Sequence, residues 1–489
     1  MKAKKLAALL LTLVLALGLI PVGAMAAQTT VTPASTASIT VNNAVANDVF
    51  AAYKVVDITY NAGNNTLTKT WNTNFANYFT GTTVEDFAKL KDDSQALKTL
   101  LAGLPQYIID HSIAPVKTET VTGTTATFAD LAMGEYFIRP TSTTSVYQLM
   151  LQKIEPTVAN VGGVEKYVID DVTFNAKHKE VNVTKTADKT SVTKNEKVAY
   201  TITVDIPTYL DEATDKTFYV SDKLPDGLTI DPASIEVKVN NAVVPTAAYD
   251  LNTTATDVFT FKLSVSNEQY TNYWKANAGI KPLVITYTAT LNDNGTTAVN
   301  EKETNKVTFD YSNYPYVDSH VTKTAKVDVT TFAIKVDKHE KDHNETKLAN
   351  AKFDLYRTLY AGETGGVNIP HANVQGKLLE SGVTDTDGAL TFAKYEANGA
   401  KYDYYLVETQ APSGYNLLTN AVKVNFADAD VAGTAGVYTV DVENSSGIQL
   451  PITGGTGTII FTVIGIALMA GAVVLLVFSR KKAKTDGNK

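Results

Sequence analysis

Residues 197–206 read KVAYTITVDI, in which Val198, Tyr200, Ile202 and Val204 alternate with Lys197, Ala199, Thr201, Thr203 and Asp205. A period of two puts successive side chains on opposite faces of a strand, so one face is apolar and the other mostly polar. The same alternation recurs in VFTFKLSV at 258–265, LVITYTATL at 283–291 and AVKVNFA at 421–427, and the turn sequences PDG, NDNG and DTDG punctuate the runs. Half-buried strands separated by such turns indicate antiparallel sheets packed as sandwiches. The expected fold class is all-β, in tandem β-sandwich domains. Helix signals are few, and the best is TVEDFAKLKDDSQALKTLLAGLP at 83–105. There Thr83 can cap an acidic first turn, and Gly103-Leu104-Pro105 is expected to end the helix.

Outward from these strands, 489 residues suggest about three domains, and 44% hydrophobic residues suffice for buried cores. A net charge of -8 argues against a nucleic-acid partner, which requires a basic face. No cysteine is present, so disulfides, thiolate metal sites and cysteine nucleophiles are excluded. Residues 1–26 combine Lys2, Lys4 and Lys5, an apolar run from Leu6 to Ile20, and Ala24-Met25-Ala26, the three-part pattern of a secretory signal peptide. At the other end, 458–478 is apolar and long enough to cross a bilayer as a helix, and Arg480, Lys481, Lys482 and Lys484 follow as a basic tail that stays in the cytoplasm. The segments between are expected as three units at 30–177, 180–325 and 327–446, followed by a terminal region at 447–489. The first unit holds the short helix.

Just before the apolar span stands LPITGG, beginning with Leu450, Pro451, Ile452, Thr453 and Gly454. Motif, span and basic tail in that order resemble the sorting signal of Gram-positive surface proteins. The resemblance implies that sortase cleaves between Thr453 and Gly454 and passes the threonine carbonyl to an amine. Pro451 fixes φ and bends the chain for an enzyme groove, and Gly454 leaves little bulk on the departing side.

YYLVETQAPSGYN at 404–416 resembles the glutamate-bearing box of collagen-adhesin B-type domains and pilins, and FAIKVDK at 332–338, LANAKFDLY at 348–356, GVTDTDGALTF at 382–392 and VYTVDVEN at 437–444 extend the match. The resemblance is to sortase-assembled major pilins. It implies immunoglobulin-like sandwiches of collagen-adhesin A and B type and an isopeptide bond between Lys335 and Asn444, promoted by Glu408. A lysine is neutral only about once in 2,500 at pH 7, and burial can shift lysine and carboxyl pKa values by about 3–5 units towards the neutral forms. The amine could then attack the asparagine side chain and release ammonia. The bland alternative is an ordinary ion pair between Lys335 and Glu408. In the second unit, VNVTKTADKTSVTKNEKVAYTITV at 181–204, FYVSDKLPDGLTI at 218–230 and ETNKVTFDY at 303–311 resemble the pilin middle domain. They imply Lys185, Asp222 and Asn305, with Lys189 and Lys194 as other lysines nearby. The first unit opens on ASITVNNAV, which lacks a lysine; Lys54 lies on a later strand, Glu135 could imitate the acid, and no bond is expected.

Polymerising pilins carry an acceptor lysine between their first two domains. VIDDVTFNAKHKEVNV at 168–183 resembles that motif in its strand positions Val172 and Phe174, places Lys177 at the acceptor position with Lys179 as fallback, and departs from it at Val168, Asn175 and Ala176. The expectation is a structural shaft subunit, not an enzyme with turnover and needing no cofactor, exported and anchored to the cell wall. Its partners are sortase, identical subunits, minor pilins and peptidoglycan. The alternative is a monomeric wall-anchored adhesin binding a host or community ligand. An enzyme is the third class, resting on His339-Glu340-Lys341-Asp342-His343, which fits the H-E-x-x-H pattern of zinc proteases. A zincin helix needs an apolar face behind its histidines, and DKHEKDHNETK has none. DTDG at 385–388 resembles part of a calcium loop but lacks the other ligands, so a hairpin turn is expected.

Overall fold

The computed structural model describes residues 29–91, 94–294, 302–396, 403–424, 436–447 and 456–485. The signal peptide at 1–26 and the LPITG motif at 450–454 lie outside the described residues. Strands dominate: the runs at 197–205 and 283–291 lie in one sheet with their apolar faces inward, VFTFKLSV is strand over Phe261–Val265 only, and the described part of AVKVNFA is strand over Val422–Val424.

The first unit contains β1 (Thr36–Asn42), β2 (Val49–Asn61), three short helices α1 (Val84–Ala88), α2 (Gln95–Ala102) and α3 (Leu104–Asp110), then β3 (Ala126–Ala132), β4 (Gly134–Ser142), β5 (Val146–Tyr147), β6 (Met150–Ile154), β7 (Val172–Asn175) and β8 (His178–Lys179). One sheet runs β7-β1-β3, with β7 parallel to β1, and another runs from Thr66–Trp71 through β2 and β4 to β6. The single helix expected over 83–105 is thus divided. Thr83 caps α1 by accepting from Asp86 N at 3.1 Å, and Ser94 starts α2 anew by accepting from Leu97 N at 3.2 Å. Gly103-Leu104-Pro105 does not end the helical region, because proline is tolerated in a first turn and here opens α3. Val84, Phe87, Leu97, Leu101, Leu104 and Ile108 pack these helices onto the core beneath.

The second unit is a sandwich of β9 (Val183–Ala187), β10 (Lys197–Asp205), β11 (Phe218–Lys223), β12 (Leu228–Val239), β13 (Phe261–Val265), β14 (Pro282–Leu291), β15 (Lys302–Ser312) and β16 (His320–Thr330). One sheet is ordered β9-β10-β14-β12 and the other β13-β11-β15-β16. Its core includes the fully buried Trp274, whose indole N–H donates to Ala248 O at 2.6 Å. The third unit has β17 (Phe332–Glu340), β18 (His343–Lys347), β19 (Lys352–Thr358), β20 (Gln375–Val383), β21 (Ala389–Tyr395), β22 (Tyr404–Gln410) and β23 (Val437–Asn444). There β18-β17-β21 form one sheet with β23 parallel to β17, and β20-β19-β22 form the facing one.

The units are tied to one another. Tyr311 at the end of β15 donates to Thr144 O, and Asn313 Nδ2 donates to Thr143 O at 2.7 Å, so the second unit grips the loop before β5. Between the second and third, only Thr331 separates β16 from β17, and Lys194 N donates to Lys394 O at 2.9 Å across the joint. A final helix spans Thr456–Thr485, with side chains described over 462–476. Among the described residues, no helix is long and apolar enough to cross a membrane.

Candidate cross-link sites

In the second unit the two sheets converge on one buried cluster. Lys185 on β9 and Tyr287 on β14 come from one sheet, and Asp222 on β11 and Asn305 on β15 from the other. Asp222 stands opposite Val307, so Asn305, two residues away on the same strand, shares its inward face. Asp222 and Asn305 are fully buried, and Lys185 keeps 6% of its surface exposed. The Lys185 amine touches Asp222 Oδ2 and donates to the Tyr287 hydroxyl at 2.9 Å. That hydroxyl donates to Asp222 Oδ1 at 3.0 Å and accepts from Asn305 Nδ2 at 2.7 Å, linking all three residues. Sequence reasoning missed Tyr287, although its inward phase with Ile285 and Ala289 in LVITYTATL marks a polar tip inside a core. Asn305 Oδ1 is buried without a hydrogen-bond partner.

Burial pulls the Lys185 amine down to about 8, against the opposing attraction of Asp222. It raises the Asp222 carboxyl, against Lys185 and Tyr287. Both shifts favour a neutral amine beside a protonated acid, and an amine titrating near 8 is neutral about one time in ten at pH 7. The other two lysines lie elsewhere: Lys189 pairs with Glu196 at 2.9 Å, and Lys194 pairs with Asp293.

The third unit holds a second such cluster, with one exchange of residue. Lys335 is exposed on β17, beside Thr391 and Thr439 on the flanking strands, and is not brought to Glu408 and Asn444. Lys338, three positions on, is fully buried and donates to Val442 O at 3.1 Å. Its parallel partner on β23 is Val442, so Asn444 faces the same side. Glu408, from β22 in the facing sheet, accepts from Asn444 Nδ2 with both oxygens at 3.0 Å and from Leu418 N at 2.9 Å. Asn444 Nδ2 also donates to Asn416 O at 2.7 Å, and Asn444 Oδ1 is buried without a partner. Burial pulls the Lys338 amine down to about 8, with Glu408 and Glu443 opposing. In the first unit, Lys54 pairs with Asp57 at 2.9 Å, and Glu135 lies buried opposite Val56.

Lys177 and Lys179 are both exposed at the seam of the first two units. The backbone carrying them is held from several sides. Ala176 N donates to Asn42 O at 2.8 Å, Asn43 Nδ2 donates to Ala176 O at 3.0 Å, and Gln148 N donates to Lys177 O at 3.0 Å, while β8 pairs with β5. Lys177 borders a groove lined by Leu97, Leu101, Leu149, Leu151 and Phe174, whereas Lys179 borders a different depression beside Glu180, Asp205 and Gly279.

The HEKDH stretch is a strand, turn and strand. His339 ends buried on β17, His343 starts β18 exposed, and Asp342 between them has φ of 62°. The helix that a zincin pair requires is absent there. DTDG is a turn as expected, but it joins β20 and β21 of facing sheets, so it is a crossover corner and not a hairpin. Asp385 stabilises it by accepting from Asp387 N at 2.9 Å and Ala389 N at 2.8 Å.

Residues 332–441 match the SpaA family of prealbumin-like fold domains, and residues 442–484 match the LPXTG cell wall anchor motif. The chain is 29% identical over 158 residues to a type 1 fimbrial subunit of Actinomyces viscosus, covering 28% of this chain and 30% of that protein. It is 25% identical over 365 residues to the trypsin-resistant surface T6 protein of Streptococcus pyogenes, covering 58% and 65%. It therefore matches less than two thirds of the length of either relative. Its fold is similar to that of the T6 backbone pilin of serotype M6 Streptococcus pyogenes, with a TM-score of 0.62 at 18% identity over 86% of this chain and 100% of the other. The full-length major pilin SpaD of Corynebacterium diphtheriae gives 0.55 at 20% identity, over 85% and 99%. A SpaA-type domain and an LPXTG anchor motif thus follow one another in a chain whose fold is similar to that of the T6 and SpaD pilins.

Proposed function

We propose that this chain is the shaft-forming subunit of a covalently polymerised surface pilus. The observation that carries this reading is the combination of a C-terminal LPXTG anchor with an exposed, backbone-braced Lys177 at the seam of the first two units. Sortase breaks the peptide bond between Thr453 and Gly454, the glycine leaves as an amine, and the threonine carbonyl forms an amide with Lys177 of the next subunit. The groove beside Lys177, whose leucines and Phe174 stand among Lys98, Gln148 and Gln152, favours it over Lys179 as acceptor. Residues 458–478 hold the precursor in the membrane until cleavage. Head-to-tail joining is a heterologous contact that does not close, so it yields an open filament.

Internal bonds strengthen each subunit. Lys185 joins Asn305 with Asp222 as the acid, and Lys338 joins Asn444 with Glu408 as the acid, Lys338 taking the place expected for Lys335. The neutral amine attacks Cγ of the asparagine, the Cγ–Nδ2 bond breaks, and ammonia departs with the proton the amine gives up. A half-turn of the asparagine amide brings its unpartnered oxygen to the Tyr287 hydroxyl in the second unit and to Glu408 in the third, where a hydrogen bond donated to that oxygen polarises the carbonyl. Each step is a single turnover.

A denaturing gel of wall extracts from the native host tests the filament. A ladder that collapses to one band in Lys177→Ala is expected, and a single band in the unaltered strain would instead favour a monomeric wall-anchored adhesin.

A further inference from the structure

At the far side of the second unit, three side chains outside both cross-link clusters converge on a cleft of about 460 Å³ that α3 and its preceding turn help to line. Asp215 comes from the loop before β11, Asp318 from the turn after β15, and His320 from the first position of β16. One donor atom of each lies within 4.8 Å of the others. Ligand atoms about 2.1 Å from one ion lie about 3.4 Å apart at tetrahedral angles, so the set closes on an ion by up to about 1.4 Å. Asp318 is exposed and supplies that movement by rotating.

The imidazole is oriented for this task. Its Nδ1 lies 2.5 Å from Asp310 Oδ1, which leaves Nε2 turned to Asp215 Oδ2 at 2.9 Å and Thr217 Oγ1 at 3.2 Å. Thr217 Oγ1 in turn donates to Asp215 Oδ1 at 2.7 Å and fixes that carboxylate. A histidine that gives one ring N–H to a carboxylate and presents the other nitrogen beside further acidic groups has the arrangement of a metal-ligating imidazole with its supporting partner. We propose that His320, Asp215 and Asp318 bind a divalent transition-metal ion, with Asp310 as the positioning residue for the imidazole. A nitrogen donor with two carboxylates suits zinc and its neighbours better than calcium or magnesium, and water from the cleft completes the shell. The site pins the loop before β11 to the start of β16, next to the helices of the first unit.

Calorimetric titration of the chelator-stripped full chain with Zn²⁺ tests the site. One ion per chain is expected, with affinity falling at least tenfold in Asp318→Asn and in His320→Gln, and about 10–100-fold in Asp310→Asn. Asp318 is exposed, so its variant retains the fold even where His320→Gln does not. No binding by the unaltered chain, or binding that Asp318→Asn leaves unchanged, would overturn the proposal.

Discussion

Lys335 and Lys338 stand three positions apart on one strand, and burial separates their chemistry. In FAIKVDKHE the inward phase is set by Ile334 and Val336, both fully buried, and Lys338 continues that phase while Lys335 breaks it. The signal was therefore present in the alternation, and motif spacing alone led to the wrong neighbour. Intact mass of the exported protein should fall short of the theoretical value by two ammonia molecules. Lys338→Ala is expected to restore one of them and Lys335→Ala neither; a mass restored by Lys335→Ala would return the bond to that residue. The pH response of the second cluster follows from its shifts. In Asn305→Ala, which cannot cross-link, Lys185 titrates near 8 when folded and near 10.5 when unfolded. The unfolded chain then binds more protons between those values, so stability rises with pH across that window, by roughly 3 kcal/mol at most. Asp222, raised by burial, gives the opposite slope from 3.8 up to its folded value. Denaturant titrations at pH 8 and pH 10 check the first slope, and Lys185→Met in the same background should remove it.

At the scale of elements, turn chemistry was more legible than turn destination. DTDG reads as a turn because Asp385 can bond its own downstream amides, and it does so. Whether the chain then pairs with the strand it left or crosses to the facing sheet depends on which apolar face the next strand must cover, and local residues do not encode that. Gly388 shows what the corner demands: it has φ of 68°, and a Cβ there would lie 2.2 Å from Lys338 O. Gly388→Ala is expected to cost about 1–3 kcal/mol from backbone strain alone. Because Lys338 N donates to Gly388 O at 2.8 Å, the change should also slow formation of the bond at Lys338. Chemical denaturation and a mass time course after refolding measure the two effects separately. The divided helix over 83–110 teaches a related lesson. Pro105 reads as a stop signal from the N-terminal side and as a first-turn residue from the C-terminal side, and the packing of Leu104 and Ile108 selects the second.

For the whole molecule, the two clusters lie along the path that tension would take from Lys177 to Thr453. Force entering at β9 would cross to β15 through a Lys185–Asn305 bond, continue through β16 into β17, and cross to β23 through Lys338 and Asn444. With both proposed bonds in place, the residues between each pair would be shielded from extension, a constraint that a chain without cysteine cannot obtain from disulfides. In single-molecule pulling between the ends, Lys185→Ala should add roughly 400 Å of contour at about 3.4 Å per residue, the length closed between Lys185 and Asn305. A contour length equal to that of the unaltered chain would show that no bond carries the load there.

The alternation of apolar residues determined by itself that the chain is built of sandwiched strands, because period two is a local property of the backbone. Lys185, Asp222 and Asn305 came from the resemblance to the pilin middle domain, and each lies buried on the inward phase of its strand. Only the tertiary structure decided that Lys338 shares a buried face with Asn444 beneath the strand of Glu408, that Tyr287 links the second cluster, and that Asp215, Asp318 and His320 share one cleft. Those meetings join strands and loops distant in the chain, and their distances are set by how sheets pack face to face.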